Sequence, residues 1–380
     1  CAYCVGMLTG KTIGNHKCFP KLSPKKSIEG IIGGVIGSTT AKAVYCTNDG
    51  EVEVQSQFNS TLVGGVIGRE NNRVYSCINN GAVKLDLVNT ATNGNKSLQC
   101  YLGGVLGFNK NAGSSDDGEK LKDVRLNINN GSVILLNGVY DSSKTSYIGG
   151  LIGGTQAVTI GTNDGKNSNI NNGKLTINTP MNVWAGGALG RFTTDTSNKD
   201  KTQHIQNFGD IVVNNAGPAS VIGGLIAFHC NGTVGYNAYV GKSDKYVSIT
   251  VDTPNNAGII VGGLVGKIEN SVATTNPSFT ITGYSTGSTR YITGQYVNIT
   301  AQNATAGIIT GNVTFSSSKS TRTIAYSSLL RSGASCSLNG TTCNITTAED
   351  GDVLKYYGSF DDKGAPTFSA GSFNSGWTAD

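Results

Sequence analysis

The sequence is poor in charge, proline, histidine and long apolar runs. Charged residues make up 14% of 380, well below the roughly 25% of an average soluble chain. The net charge of +5 is spread along the chain, and the one local basic cluster is KLSPKK, Lys21 to Lys26. A nucleic-acid surface gathers Lys and Arg on one face with aromatics between them, so no nucleic-acid partner is expected. No apolar run nears the roughly 20 residues of a membrane helix. Segments such as IIGGVIG stop far short, and no membrane span is expected. There are three histidines, no HExxH, and no CxxC pair repeated at zinc spacing. No cofactor or catalytic metal is expected.

Glycine is abundant, at 53 residues, alongside much Asn, Ser and Thr. These residues disfavour helix. Short, regular clusters of Val, Ile and Leu disfavour disorder. The composition predicts an all-β protein with many tight turns.

The apolar clusters repeat. An apolar-Gly-Gly-apolar-apolar anchor reads IGGVIG at 32–37, VGGVIG at 63–68, LGGVLG at 102–107 and IGGLIG at 148–153. It continues as AGGALG at 185–190, IGGLIA at 222–227 and VGGLVG at 261–266, with a degraded ITGNV at 309–313. A second element follows each of the first five anchors: CTNDGEVEV (46–54), CINNGAVKL (77–85), NINNGSVIL (127–135), NINNGKLTI (169–177) and IQNFGDIVV (205–213). These align without a gap. Apolar residues two and four after the shared glycine fall on one face of a strand. Asn48, Asn79, Asn129, Asn171 and Asn207, each two before that glycine, share the same parity. They are predicted to point inward as an asparagine ladder at a corner, bonding from rung to rung. The next residue and the glycine are expected to supply left-handed backbone at the bend. The glycine pair of the anchor either admits a close neighbour or marks a bulge.

One unit of two or three short strands cannot bury its apolar face alone, whereas stacked copies form a continuous core. The expected fold is a parallel right-handed β-helix, or β-solenoid, of about eight rungs over 29–313. Residues 1–28 are expected to form a disulfide-rich N-terminal cap, and 314–380 a Ser/Thr-rich C-terminal cap or docking segment. A β-propeller is the alternative, since four-stranded blades also repeat at about 40 residues.

The spelling GG-apolar-apolar-G, a polar stretch, then Y-S-C-x-N-x-G-x-Val/Leu resembles the GLUG-motif repeat of bacterial and protist surface and adhesin-like proteins. The match is closest at 64–85, clear at 33–54, partial to about 266 and thin beyond. The resemblance implies a β-rich, extracellular stacking module with no catalytic residues to transfer.

Nine cysteines and nine N-x-S/T sequons agree with an oxidising, glycosylating compartment. The sequons are Asn59, Asn95, Asn130, Asn231, Asn298, Asn303, Asn312, Asn339 and Asn344. The chain starts at Cys1 rather than Met, as expected of a processed precursor. Disulfide candidates are Cys1, Cys4 and Cys18 in the N-terminal segment, and Cys336 with Cys343. Cys46 and Cys77 share one column of adjacent rungs, either as stacked buried thiols or as an inter-rung disulfide. Insertions at 88–99, 109–122, 191–203 and 228–247 are expected on the solvent face.

Three spellings approach catalytic motifs without their context. GYSTG (283–287) spells a nucleophile elbow around Ser285 but lacks the helix that an elbow needs. GYNAYVGKS (235–243) has the wrong spacing for a phosphate loop. The acidic clusters Asp116/Asp117/Glu119 and Asp361/Asp362 sit in an insertion and in the tail, not in a column across rungs. The expected function is therefore non-enzymatic: a secreted or cell-surface structural glycoprotein, self-associating or docking in an extracellular filament, coat or adhesive layer. The alternatives are a glycan-binding adhesin using its insertion loops and, third, a carbohydrate-active β-helix enzyme.

Overall fold

The computed structural model of the chain describes residues 42–57, 60–88, 99–110, 123–156, 158–161, 168–193, 201–230, 232–235, 237–242, 244–253, 258–269, 296–307 and 310–314, together with the strands named below that lie outside these spans. The described residues are all-β, without a helix.

Five sheets run the length of the molecule, and the chain visits them in a fixed order. The first sheet starts at Ile32–Gly33 and continues through Thr61–Gly64, Cys100–Gly103, Ser146–Gly149, Val183–Gly186, Val221–Gly223, Ile259–Gly262 and Ala304–Gly307. The second lies just past the glycine pair, from Ile36–Thr39 and Ile67–Glu70 to Val265–Glu269 and Thr310–Thr314. The third runs from Ala43–Val44 to Ser278–Thr282 and Thr321–Ile324, and the fourth from Thr47–Asn48 to Thr293–Gln295 and Ser328–Leu330. The fifth runs from Val52–Ser56 and Val83–Leu87 to Val297–Ala301 and Ser335–Leu338. Each strand pairs in parallel with its equivalent one repeat away, as Val83↔Val133, Leu102↔Ile148 and Asn79↔Asn129 illustrate. This is the β-helix-like stacking that the repeat implies. It excludes a propeller, whose blades pair neighbouring strands antiparallel.

The core follows from alternation. In Val83–Leu87 the side chains of Val83, Leu85 and Leu87 are buried while Lys84 and Asp86 are not. Register then stacks Val83, Val133, Leu175, Ile211 and Ile249 into one column. All five sheets contribute to a single apolar cluster, including Val63, Ile67, Val74 and Val133. Each such side chain stabilises the stack by about 1.5–3 kcal/mol relative to exposure. The first coil closes less completely: Val52 and Val54 are only half-buried.

Three expectations are corrected. The repeat holds five strands, not two or three, because corner strands such as Val74–Tyr75 and Ile78–Asn79 are two residues long. The parallel stack also continues past 313, through Thr321–Ile324, Ser328–Leu330 and Ser335–Leu338. Backbone ladders do not need the glycine anchor to propagate. Beyond them Thr341–Asn344 pairs antiparallel with Ser335–Leu338, and Gly358–Phe360 pairs antiparallel with Ala304–Gly307 and with Pro366–Phe368. Trp377–Ala379 adds in parallel to Thr321–Ile324. Finally, the span 228–247 is not simply an insertion, since it carries Gly232–Gly235 and Tyr239–Val240, strands of the third and fourth sheets.

Candidate functional site

The corner between the fourth and fifth sheets holds the five asparagines. Each amide donates to the next along the stack: Asn48 Nδ2 to Asn79 Oδ1, Asn79 to Asn129, Asn129 to Asn171 and Asn171 to Asn207, all at 2.8 Å. Each also donates to the carbonyl of the glycine two residues on, from 2.6 Å at Gly81 to 2.9 Å at Gly209. Asn129, Asn171 and Asn207 reach further, to the carbonyls of Gly150, Gly187 and Gly224 in the first-to-second-sheet turn. At Asn129 and Asn171 two amide hydrogens serve three acceptors, so one hydrogen is shared.

This contact explains the glycine pair. A Cβ on Gly104 would lie 2.3 Å from Asn129 Cγ and 2.1 Å from the Gly150 carbonyl. The second glycine is therefore the space in which the ladder amide sits, a close approach rather than a bulge.

The expected left-handed bend is also corrected. Positive φ occurs at Tyr45, Ser76, Leu126 and His204, the corner before the ladder strand. The turn glycines Gly50, Gly81 and Gly131 are not among the left-handed residues. What most of them need is room: a Cβ on Gly81 or Gly131 would stand 1.8 Å from the glycine carbonyl of the preceding coil.

Sequence reasoning missed two further amide contacts. The residues after the ladder asparagines form an exposed outer row, with Asn172 donating to Asn130, Asn130 to Asn80 and Asn80 to Asp49, at 2.7–2.8 Å. The signal was the N-N-G or N-D-G spelling of the turn. In addition, Asn127 and Asn169, in the column of Cys46 and Cys77, are buried and joined at 3.1 Å. Asn127 Oδ1 accepts from the Cys77 backbone N–H.

Cys46 and Cys77 are buried and form no disulfide with each other. The Cys46 thiol donates to the Val44 carbonyl, and the Cys77 thiol reaches those of Ala43 and Tyr75. Parallel neighbours in register hold their Cβ atoms roughly a strand spacing of 4.8 Å apart, beyond the 3.5–4.5 Å that a disulfide needs. Cys336 is a buried thiol whose backbone partner across the antiparallel pair is Cys343. Burial pushes the Cys100 thiol up to about 12, which keeps it protonated and unreactive. Cys1, Cys4 and Cys18 lie outside the described residues.

Of the sequons, Asn130 and Asn303 are exposed and Asn298 and Asn312 half-buried. Asn298 accepts from the Ser335 hydroxyl at 2.9 Å. Asn59, Asn95, Asn231 and Asn339 fall outside the described residues, as does the Asn344 side chain. Ser285 sits in an antiparallel hairpin, Tyr284–Thr286 with Thr289–Tyr291, not in an elbow. Among the described residues no three His, Cys, Asp or Glu side chains gather as a metal group, and no helix is long and apolar enough to cross a membrane.

One pair of outward columns is chemically distinctive, with Tyr147 and Phe228 buried and Tyr101, Phe108, Trp184 and Arg191 half-buried. The outward columns of the first and second sheets meet: Tyr101 contacts Phe108 and Tyr147, Tyr147 contacts Trp184, and Trp184 stacks on Phe228 at 4.1 Å. The Arg191 guanidinium lies 4.9 Å over the Tyr147 ring and donates to the Tyr101 hydroxyl at 3.4 Å. Gly154, in register between Phe108 and Arg191, leaves the gap that the Tyr101 ring fills. The result is an aromatic stripe with a guanidinium upon it.

A family model described as Cytidylyltransferase family matches residues 1–69, under a fifth of the chain. The described part of that span is the first coil and the start of the second. No curated protein and no solved structure matches the chain.

Proposed function

We propose that this chain is a non-enzymatic structural glycoprotein, secreted or displayed at a cell surface, that stacks or docks in an extracellular filament, coat or adhesive layer. In this reading the parallel strands form eight coils of a right-handed β-helix, with residues 1–28 and the tail capping its edges. The GLUG-like spelling of 33–85 supports the same reading. The observation that carries it is the unbroken donor chain from Asn48 to Asn207, because buried inter-coil bonds make a stack stiff along its axis. Electron microscopy of native material is the test. Ordered filaments or layers support the role, and uniformly dispersed single particles at native concentration overturn it.

A second reading, a glycan-binding adhesin, is favoured by the aromatic stripe rather than by the insertion loops. Pyranose rings present C–H faces that pack on aromatic rings, and a guanidinium donates to hydroxyls and carboxylates. Selective retention on a glycan array, lost in Trp184→Ala and Arg191→Gln, supports this reading. Retention unchanged in both variants removes the stripe from it.

A further inference from the structure

Glu70 ends the strand Ile67–Glu70 and is fully buried. Its register partners in the next coils are Asn109 and Thr155, also buried, and then the core residues Phe192, His229 and Ile268. A carboxylate therefore stands in a column that later coils fill with rings and an aliphatic chain. Its Oε1 accepts from the Asn71 backbone N–H at 2.8 Å. Its Oε2 is buried with no partner, and so are Asn71 Oδ1, Asn109 Oδ1 and, one coil further, Thr155 Oγ1. Asn109 is oriented by its own amide, which donates to the Asn72 carbonyl at 3.0 Å. The Glu70 carboxylate and the Asn109 amide thus converge on the bend at 71–72 from adjacent coils.

Buried acceptors without donors are destabilising, and an uncompensated buried charge is more so. Arg69 and Arg73 flank the bend but do not hold the carboxyl down. Burial pushes it up to about 8, opposed only by the backbone N–H groups of Asn71 and Asn72. A single proton would satisfy one of these oxygens, whereas a cation between the second and third coils would take those of Glu70, Asn71 and Asn109 together. The spacing also suits a cation: adjacent coils lie about 4.8 Å apart, twice the 2.3–2.6 Å of a calcium–oxygen bond. The donors are carboxylate and amide oxygens, hard ligands of the kind Ca²⁺ takes, and Mg²⁺ gives up its waters reluctantly in a dry site.

We propose that Glu70, Asn71 and Asn109 hold a calcium ion between the second and third coils, so that the ion staples these two coils together.

The test is calcium titration of the full chain after EDTA treatment at pH 7.5, read by calorimetry and by the thermal midpoint. Wild type is expected to gain several degrees in calcium. Glu70→Gln, which keeps the shape and removes the charge, is expected to match or exceed wild type in EDTA and to bind calcium at least tenfold more weakly. Asn109→Asp adds a second carboxylate and is expected to bind at least tenfold more tightly while melting lower in EDTA. An equal calcium response in wild type and Glu70→Gln overturns the site. A wild type indifferent to calcium but sensitive to pH shows that a proton fills it instead.

Discussion

The inner and outer asparagine rows are made by adjacent residues of the same turns. Asn79, Asn129 and Asn171 belong to the inner row, and Asn80, Asn130 and Asn172 to the outer one. Their hydrogen bonds are nearly identical in length, 2.8 Å inside and 2.7–2.8 Å outside. The outer chain even ends on a fitting acceptor, the Asp49 carboxylate. What differs is access to water, together with the glycine carbonyls that the buried inner amides also serve. A hydrogen bond that competes with solvent contributes about 0.5–1.5 kcal/mol net, whereas leaving its buried partners unsatisfied costs each its full desolvation. The inner row therefore fixes the register of the coils, and the outer row follows from it.

The largest expected effect is that of Asn129→Asp. The substitution keeps the shape but turns a donor into an acceptor facing the Gly131 and Gly150 carbonyls and Asn171 Oδ1. We expect a loss of about 4 kcal/mol or more in urea unfolding, the range for burying an unpaired polar or charged group. Gly131→Ala comes next. Its Cβ would strike the Gly81 carbonyl at 1.8 Å, and overpacking of this kind costs about 1–3 kcal/mol or more. Gly50→Ala, at the same position of the first coil, meets nothing nearer than Asn48 Oδ1 at 3.8 Å among the described residues and should stay within about 0.5 kcal/mol of wild type. Equal costs at the two glycines would mean that the turn, not the stack, sets the requirement.

The inner row was legible because Asn48, Asn79, Asn129, Asn171 and Asn207 align without a gap and share parity with the Val and Leu columns, and period-two alternation has only two faces. The outer row was not, because an exposed Asn in a turn reads equally well as a local turn former. The corner at Tyr45, Ser76, Leu126 and His204 was hidden for a different reason. Left-handed backbone is normally signalled by Gly or Asn, and none of these four is either. Without that corner a five-strand coil reads as three. Asn127 and Asn169 were visible as residues but not as a bonded pair, since their column also holds Cys77 and Ile205. The unpaired oxygens at Glu70 depend on the burial of three separate segments, which no local spelling carries.

The column of Glu70, Asn109 and Thr155 extends the comparison: it is buried like the inner row yet has no donor chain. Its carboxyl rises from 4.5 to about 8 on folding, so between these values the folded state holds a proton that the unfolded state has released. Stability in EDTA should therefore fall as pH rises from about 4.5 to about 8, then level off. Guanidinium melts across this range test the sign, and Glu70→Gln should abolish the slope. A smaller effect is expected where the inner row ends. Asn207 is followed in register by Val240, which is fully buried. At that coil the space beside the anchor glycine is taken by Ile249 Cδ1, 3.2 Å from a Cβ on Gly224, instead of an amide. Val240→Asn would lengthen the ladder by one bond while losing apolar burial of about 1.5–3 kcal/mol. One hydrogen bond returns about 1 kcal/mol, leaving a net loss of about 0.5–2 kcal/mol.

Asn130→Asp should have the smallest effect, although it is the same chemical change as Asn129→Asp one residue away. The new carboxylate still accepts from Asn172 Nδ2. It loses only its donation to Asn80 Oδ1, which water replaces because both side chains are exposed. The first turn of the row already carries an acid, Asp49. We expect a change within about 0.5 kcal/mol, with a weak salt dependence from the added surface charge. A loss approaching that of Asn129→Asp would mean that the outer row also holds the coils in register, and burial would no longer account for the difference between the two rows.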